Sequence, residues 1–166
     1  MKRLLVVVVP ALAALVLAGT FATAAPGASN PVTNSATGGG HFVLPGGFRS
    51  FSFSARKYAD GTVKGQAQIY NRNAPNAFAH FELDCLEVNG SFAHISGHVT
   101  HTGDPTFWIP GELVRFAVAD LGEGNSAPAP DLVTFITPPN EQFRCDDDGA
   151  PLPNFHFVER GNVQVR

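Results

Sequence analysis

From Ser50 to Arg56 the side chains alternate without a fault: Phe51, Phe53 and Ala55 against Ser50, Ser52, Ser54 and Arg56. After a short gap the pattern resumes, with Val63, Gly65, Ala67 and Ile69 against Lys64, Gln66, Gln68 and Tyr70. A period of two is the mark of a strand with one buried and one wet face. The gap then decides how the two strands meet. A two-residue Asp60-Gly61 turn would set the apolar face of one strand beside the polar face of the other. A three-residue loop, Ala59-Asp60-Gly61, puts both apolar faces on one side, and this type I turn plus bulge wants Gly last. A slip of one residue would reverse every side chain, so face matching selects a single register. It places Phe53 opposite Ala67.

The stretch "HFELDCLEVNGSFAHISGHVTH", His80 to His101, reads the same way. With Val88-Asn89-Gly90 as the loop, Cys85 faces Ala93, Leu83 faces Ile95 and Phe81 faces Gly97 on the buried side. On the wet side Asp84 faces His94, Glu82 faces Ser96 and His80 faces His98. Large residues oppose small ones inside, which is how a small barrel or sandwich fills its centre.

Similar runs of Phe, Val, Ile and Thr recur between Gly, Asn, Asp and Pro. They predict about eight strands, near 41–44, 49–58, 62–71, 77–87, 91–101, 112–119, 131–137 and 154–165, the last broken at Gly161-Asn162. Beyond the N-terminus no stretch sustains helical periodicity. The expected fold is all-β, an antiparallel up-and-down meander. A barrel is favoured over a two-sheet sandwich because closure removes exposed edges.

The N-terminus has its own logic. Lys2 and Arg3 precede an apolar run from Leu4 to Leu17, and Ala22-Thr23-Ala24 fits a small-x-small cleavage site. The run is short for a bilayer span, which needs ~20 apolar residues. Residues 1–24 are expected to be a cleaved signal peptide, leaving no membrane span. Residues 25–39 are small, polar and rich in Pro and Gly, and are expected to be a flexible lead-in to a single β-domain over 40–166. Cleavage would take the basic count from 11 to 9 against 14 acids, a formal charge of −5. With no basic run or basic-aromatic stripe, nucleic acid is not an expected partner. The two cysteines, Cys85 and Cys145, are expected to form a disulfide in an exported chain, tying the long loop around Cys145 across the end of the β-core.

Several segments together resemble a known family. These are "ATGGGHF", "FSFSARKYADGTVKGQAQIYN", "HFELDCLEVNGSFAHISGHV", "RFAVADLGEGNSAPAPDLVTF" and the terminal "GNVQVR". Over residues 36–166 the chain resembles an uncharacterised family of secreted bacterial β-domains, the post-COAP type. The resemblance implies the β class, export and a bacterial source. It implies no activity.

Four groups of residues could carry chemistry. His80, His94 and His98, with Asp84 and Glu82 beside them, share the wet face at cross-strand spacing. Imidazole and carboxylate so placed suit zinc or a similar ion, although an antiparallel surface carries polar residues outward in any case. His41 and His101 are not linked to this cluster by spacing. The loops with Asp120, Glu123 and Asp131 and with Asp146, Asp147 and Asp148 could attract calcium, yet match no calcium motif. Phe107 and Trp108, between two prolines, could meet a sugar, lipid or partner, or Trp108 could fold back as a plug. No nucleophile motif is present and no catalytic residue or cofactor is assigned. The sequence points to a secreted, non-enzymatic β-domain with a binding or structural role toward an unidentified extracellular ligand or surface. The alternative is a metal-binding protein or small metal-assisted hydrolase built on the histidine face.

Overall fold

The computed structural model describes residues 30–74, 76–123, 127–134, 143–147 and 154–166. The expected signal peptide (1–24), residues 25–29, the 135–137 end of the seventh strand and Asp148 lie outside the described residues. The elements are β1 (Val32–Leu44), β2 (Gly47–Tyr58), β3 (Val63–Asn71), β4 (Phe78–Asn89), β5 (Phe92–Thr102), β6 (Leu113–Ala119), β7 (Leu132–Thr134), β8 (Phe155–Phe157) and β9 (Arg160–Val165). They form one antiparallel sheet in the order β8-β7-β6-β5-β4-β3-β2-β1-β9, curled into a half-barrel. There is no helix among the described residues.

The first hairpin pairs as its alternation requires. Phe53 lies opposite Ala67 and Lys57 opposite Val63, leaving Ala59-Asp60-Gly61 as the loop, with Gly61 at φ +83°. The Thr62 hydroxyl, Asn30 and the Thr62 amide hydrogen-bond the Asp60 carboxylate and lower its pKa to about 2. The inner face carries Phe42, Phe51, Phe53, Phe81, Phe116, Leu83, Leu86 and Ile95, all buried.

Three expectations are corrected. The glycine-rich segment is not a lead-in from Val32 onward. β1 runs thirteen residues and pairs with β2 on one side and β9 on the other. Its glycines are what the interior demands: a Cβ on Gly38 would sit 2.7 Å from the Phe53 ring, and one on Gly40 would sit 2.8 Å from Val158. The sequence lacks side chains there because its neighbours fill the space. The final strand is two, broken at Val158-Glu159 rather than at Gly161-Asn162.

The second hairpin departs most. Its turn is Gly90-Ser91, with Asn89 opposite Phe92, Leu86 opposite Ile95 and Cys85 opposite Ser96. The ladder then shifts at Asp84, so that Leu83 meets Gly97 and Phe81 meets Val99, and shifts again at Thr100, so that His80 meets His101. An extra residue on one strand of a pair is a β-bulge. The bulge at Asp84 keeps Leu83 and Leu86 both inside and turns Cys85 to the outer wall.

β8 and β9 are the two ends of the sheet, yet two residues apart in the chain. Val158 N–H donates to the Asp131 carbonyl (2.8 Å) and Glu159 N–H to the His41 carbonyl (2.9 Å) as the chain crosses the opening. Side chains hold the gap as well. Asp131 accepts from Val163 N–H at 2.7 Å, and Asp120 accepts from Val165 N–H at 3.1 Å.

Candidate functional site

Cys85 and Cys145 are bonded, with Cα atoms 5.9 Å apart. The bond fastens residues 143–147 to the outer wall of β4–β6, not across an end, because Cys85 faces outward beyond the bulge. Under the loop lie Ser96 and Arg115, both buried. Cys145 N–H donates to the Ser96 hydroxyl at 3.2 Å, and Arg115 lies 5.5 Å from the Phe143 ring centre.

The histidine face does not form as one cluster. Asp84 bonds His98 Nδ1 (3.1 Å) and Arg144 (3.2 Å). His94 lies nearer the turn, opposite Glu87. Burial, with a smaller effect of the Arg115 charge, lowers its pKa, and Glu87 opposes the change. His80 lies beyond the second bulge, beside His101, with ring centres 6.0 Å apart. Among the described residues, the one group of three potential metal ligands within 4.8 Å of one another is Cys85, Cys145 and Asp146. Both of those thiols are spent in the disulfide.

The acidic residues of the 120–131 loop are engaged by the backbone and by β9. Asp131 also accepts from Leu121 N–H (2.9 Å), Asp120 from Gly122 N–H (3.1 Å), and Glu123 from the Gln164 amide (2.5 Å). Asp147 accepts from Arg144 N–H. Trp108 is 3% exposed and meets the Phe81 ring edge-on at 5.3 Å, so it closes one end of the core. Phe107 stays exposed beside it.

On the outer wall of β2–β5 the sequence singles out His80 but not the aromatic, hydroxyl and amide residues around it, which the structure assembles into a different group. Tyr70 and Phe78 are register partners whose rings stack at 5.4 Å and 11°. His101 and His80 flank Phe78 at 5.6 and 5.8 Å. Beside them a shallow depression is lined by Ser52, Ser54, Gln66, Gln68, His80 and Thr100, and a second by Ser50, Gln68, Tyr70 and Arg72. Arg72 Nε donates to the Ser50 hydroxyl (2.9 Å), which also bonds His41 Nδ1 (3.0 Å). A Ser–His contact is half of a nucleophile–base arrangement, but among the described residues no carboxylate orients the His41 ring. This wall can hydrogen-bond and stack.

The chain matches no family model, no characterised protein and no solved structure.

Proposed function

We propose that this protein is an exported, non-catalytic binding module whose outer β2–β5 wall recognises a polyhydroxylated ligand, an extracellular glycan. The observation that carries the reading is the parallel Tyr70–Phe78 pair, with Tyr70 44% exposed and lining one depression with Ser50, Gln68 and Arg72, beside a second lined by Ser52, Ser54, Gln66, Gln68 and Thr100. A sugar ring has an apolar C–H face and a rim of hydroxyls. An aromatic ring takes the first, and Ser, Thr and Gln both donate to and accept from the second. Arg72, anchored on Ser50, adds a fixed donor at the edge. Export is supported by the Lys2-Arg3, apolar-run and Ala22-Thr23-Ala24 pattern and by the disulfide.

A second reading keeps a metal and moves it. His80 and His101 are register partners, and two imidazoles side by side are a weak chelate for zinc or copper. Affinity electrophoresis of the secreted protein through a panel of soluble polysaccharides, with and without chelator, separates the two. Retardation that survives chelator and is lost in Tyr70→Ala is the expected result. Retardation that needs added zinc and disappears in His101→Ala would transfer the site to the second reading, and no retardation by any polysaccharide would end the first.

A further inference from the structure

The end of the half-barrel that Trp108 closes holds a cation on its inner face. Arg49 belongs to the inward set of β2, with Phe51, Phe53 and Ala55, and its register partners are Phe42 on β1 and Asn71 on β3. An inward position at the last turn of a strand is where a core ends and solvent begins. An arginine there gives up part of its hydration and takes carboxylates, backbone carbonyls or water as partners. Among the described residues Nη1 donates to the Gly47 and Phe48 carbonyls, both at a long 3.3 Å. No carboxylate pairs with it among the described residues. Burial accordingly disfavours the charged form and lowers the Arg49 pKa.

The guanidinium borders a pocket of about 270 Å³ whose other walls include Ile69, Asn71, Asp104, Phe107 and Trp108. Barrel mouths with apolar walls and a few convergent polar groups are preferred small-molecule sites. Among the described residues the one acid in the wall, Asp104, has a single oxygen engaged, within its own turn. Asp104 Oδ1 accepts from the Thr106 hydroxyl (2.6 Å) and N–H (3.2 Å), and the Asp104 carbonyl accepts from Trp108 N–H. Asn71 faces Arg49 across the ladder and adds an amide on the same side.

We propose that this mouth binds a small organic carboxylate, anchored on Arg49 with its apolar body against Phe107, Trp108 and Ile69. Charge complementarity selects the anion, because a carboxylate would give the guanidinium the paired, charge-assisted hydrogen bonds it lacks. Size selects the class: the pocket is just below the ~300–1,000 Å³ of drug-sized sites, so it fits an aromatic or short-chain acid and not a polymer. The mouth lies on the inner face and the wall proposed for a glycan on the outer one, with Asn71 bordering both, and either proposal stands without the other.

Trp108 is the only tryptophan, so its emission reports on the pocket directly. The test is titration of the full chain with benzoate and with neutral benzamide at low salt. Benzoate should give a saturable change and bind at least about tenfold more tightly than benzamide, a difference of ~1.4 kcal/mol. Added salt should narrow that gap. Arg49→Gln should bring benzoate down to the benzamide level, and Tyr70→Ala should change neither. Phe107→Ala, at an exposed rim position, should weaken both ligands and serves as the second variant if Arg49→Gln does not fold. Equal binding of the two ligands, no saturable response to benzoate, or full benzoate affinity in Arg49→Gln overturns the proposal.

Discussion

Asp131 is 5% exposed, and its two carboxylate oxygens accept from Leu121 N–H and Val163 N–H. It therefore holds its own loop and joins that loop to β9 across the opening of the sheet. A buried N–H left without an acceptor costs ~1–3 kcal/mol, and a charged acceptor is the stronger partner. Asp131→Asn turns a donor toward one of the two amides, so it should destabilise by about 2–4 kcal/mol in urea unfolding. A loss under about 0.5 kcal/mol, the size of an ordinary surface change, would contradict this role. His94 gives a pH dependence of known sign. Its pKa is lowered chiefly by burial, so the unfolded chain takes up the proton first as pH falls. Its contribution to stability is complete above the free-histidine value of ~6.5 and is lost as pH drops through that value toward the lower folded one. Urea midpoints at several pH values between 8 and 5 should fall more for the wild type than for His94→Gln. Parallel profiles would remove His94 from the account. Asp60, lowered to about 2, keeps its contribution across this range and loses it only as pH falls through that value.

At the scale of an element, β4–β5 shows what makes a strand legible. Its glycine contact gives a direct test. Gly97 packs so closely on β4 that a Cβ would fall 2.0 Å from the Glu82 carbonyl oxygen, a backbone atom unable to step aside alone. Gly97→Ala should cost about 1–3 kcal/mol or more in a melting experiment, as overpacking does. An unchanged midpoint would mean the hairpin has room that this geometry denies. The two hairpins differ in one respect. β2 and β3 alternate cleanly, so one register satisfied every residue and the loop followed. In β4 the apolar neighbours Cys85 and Leu86 break the alternation, and in β5 Thr100-His101-Thr102 does the same. Each break sits beside a bulge, and a bulge shifts all pairs beyond it. The inner residues Phe81, Leu83, Ile95 and Val99 were readable because burial follows local pattern. The partners of the histidines were not, because they depend on bulge position. Tyr70 and Phe78 were invisible as a pair for a related reason: each looks like an ordinary strand residue until the β3–β4 register is known. The glycine run of β1 misled through composition, since its missing side chains belong to space filled by Phe53 and Val158.

At the scale of the whole molecule, one covalent bond decides whether the outer wall of β4–β6 is covered. The sequence supplied the pair, Cys85 with Cys145, but not its place. With Cys85 on the outer side of the bulge, the bond presses residues 143–147 against Ser96 and Arg115. The bond spans sixty residues. For a ring of that size, chain entropy gives at most roughly 4 kcal/mol, and any residual structure in the unfolded chain lowers the yield. The interior is the separate apolar cluster of Phe42, Phe53, Phe81 and Phe116, which the bond does not enter. Cys85→Ala, Cys145→Ala and the double variant should therefore all fold, melt lower by similar amounts, and show no additivity, because each removes the same ring. They should also release the loop, so that trypsin cuts at Arg144 far faster in the variants than in the native protein under conditions where both remain folded. Free-thiol labelling of the unreduced, denatured wild type should find no reactive cysteine. Two reactive thiols per chain would rule the bond out. A double variant clearly less stable than either single one would show that the two side chains contribute through packing, beyond the ring they close.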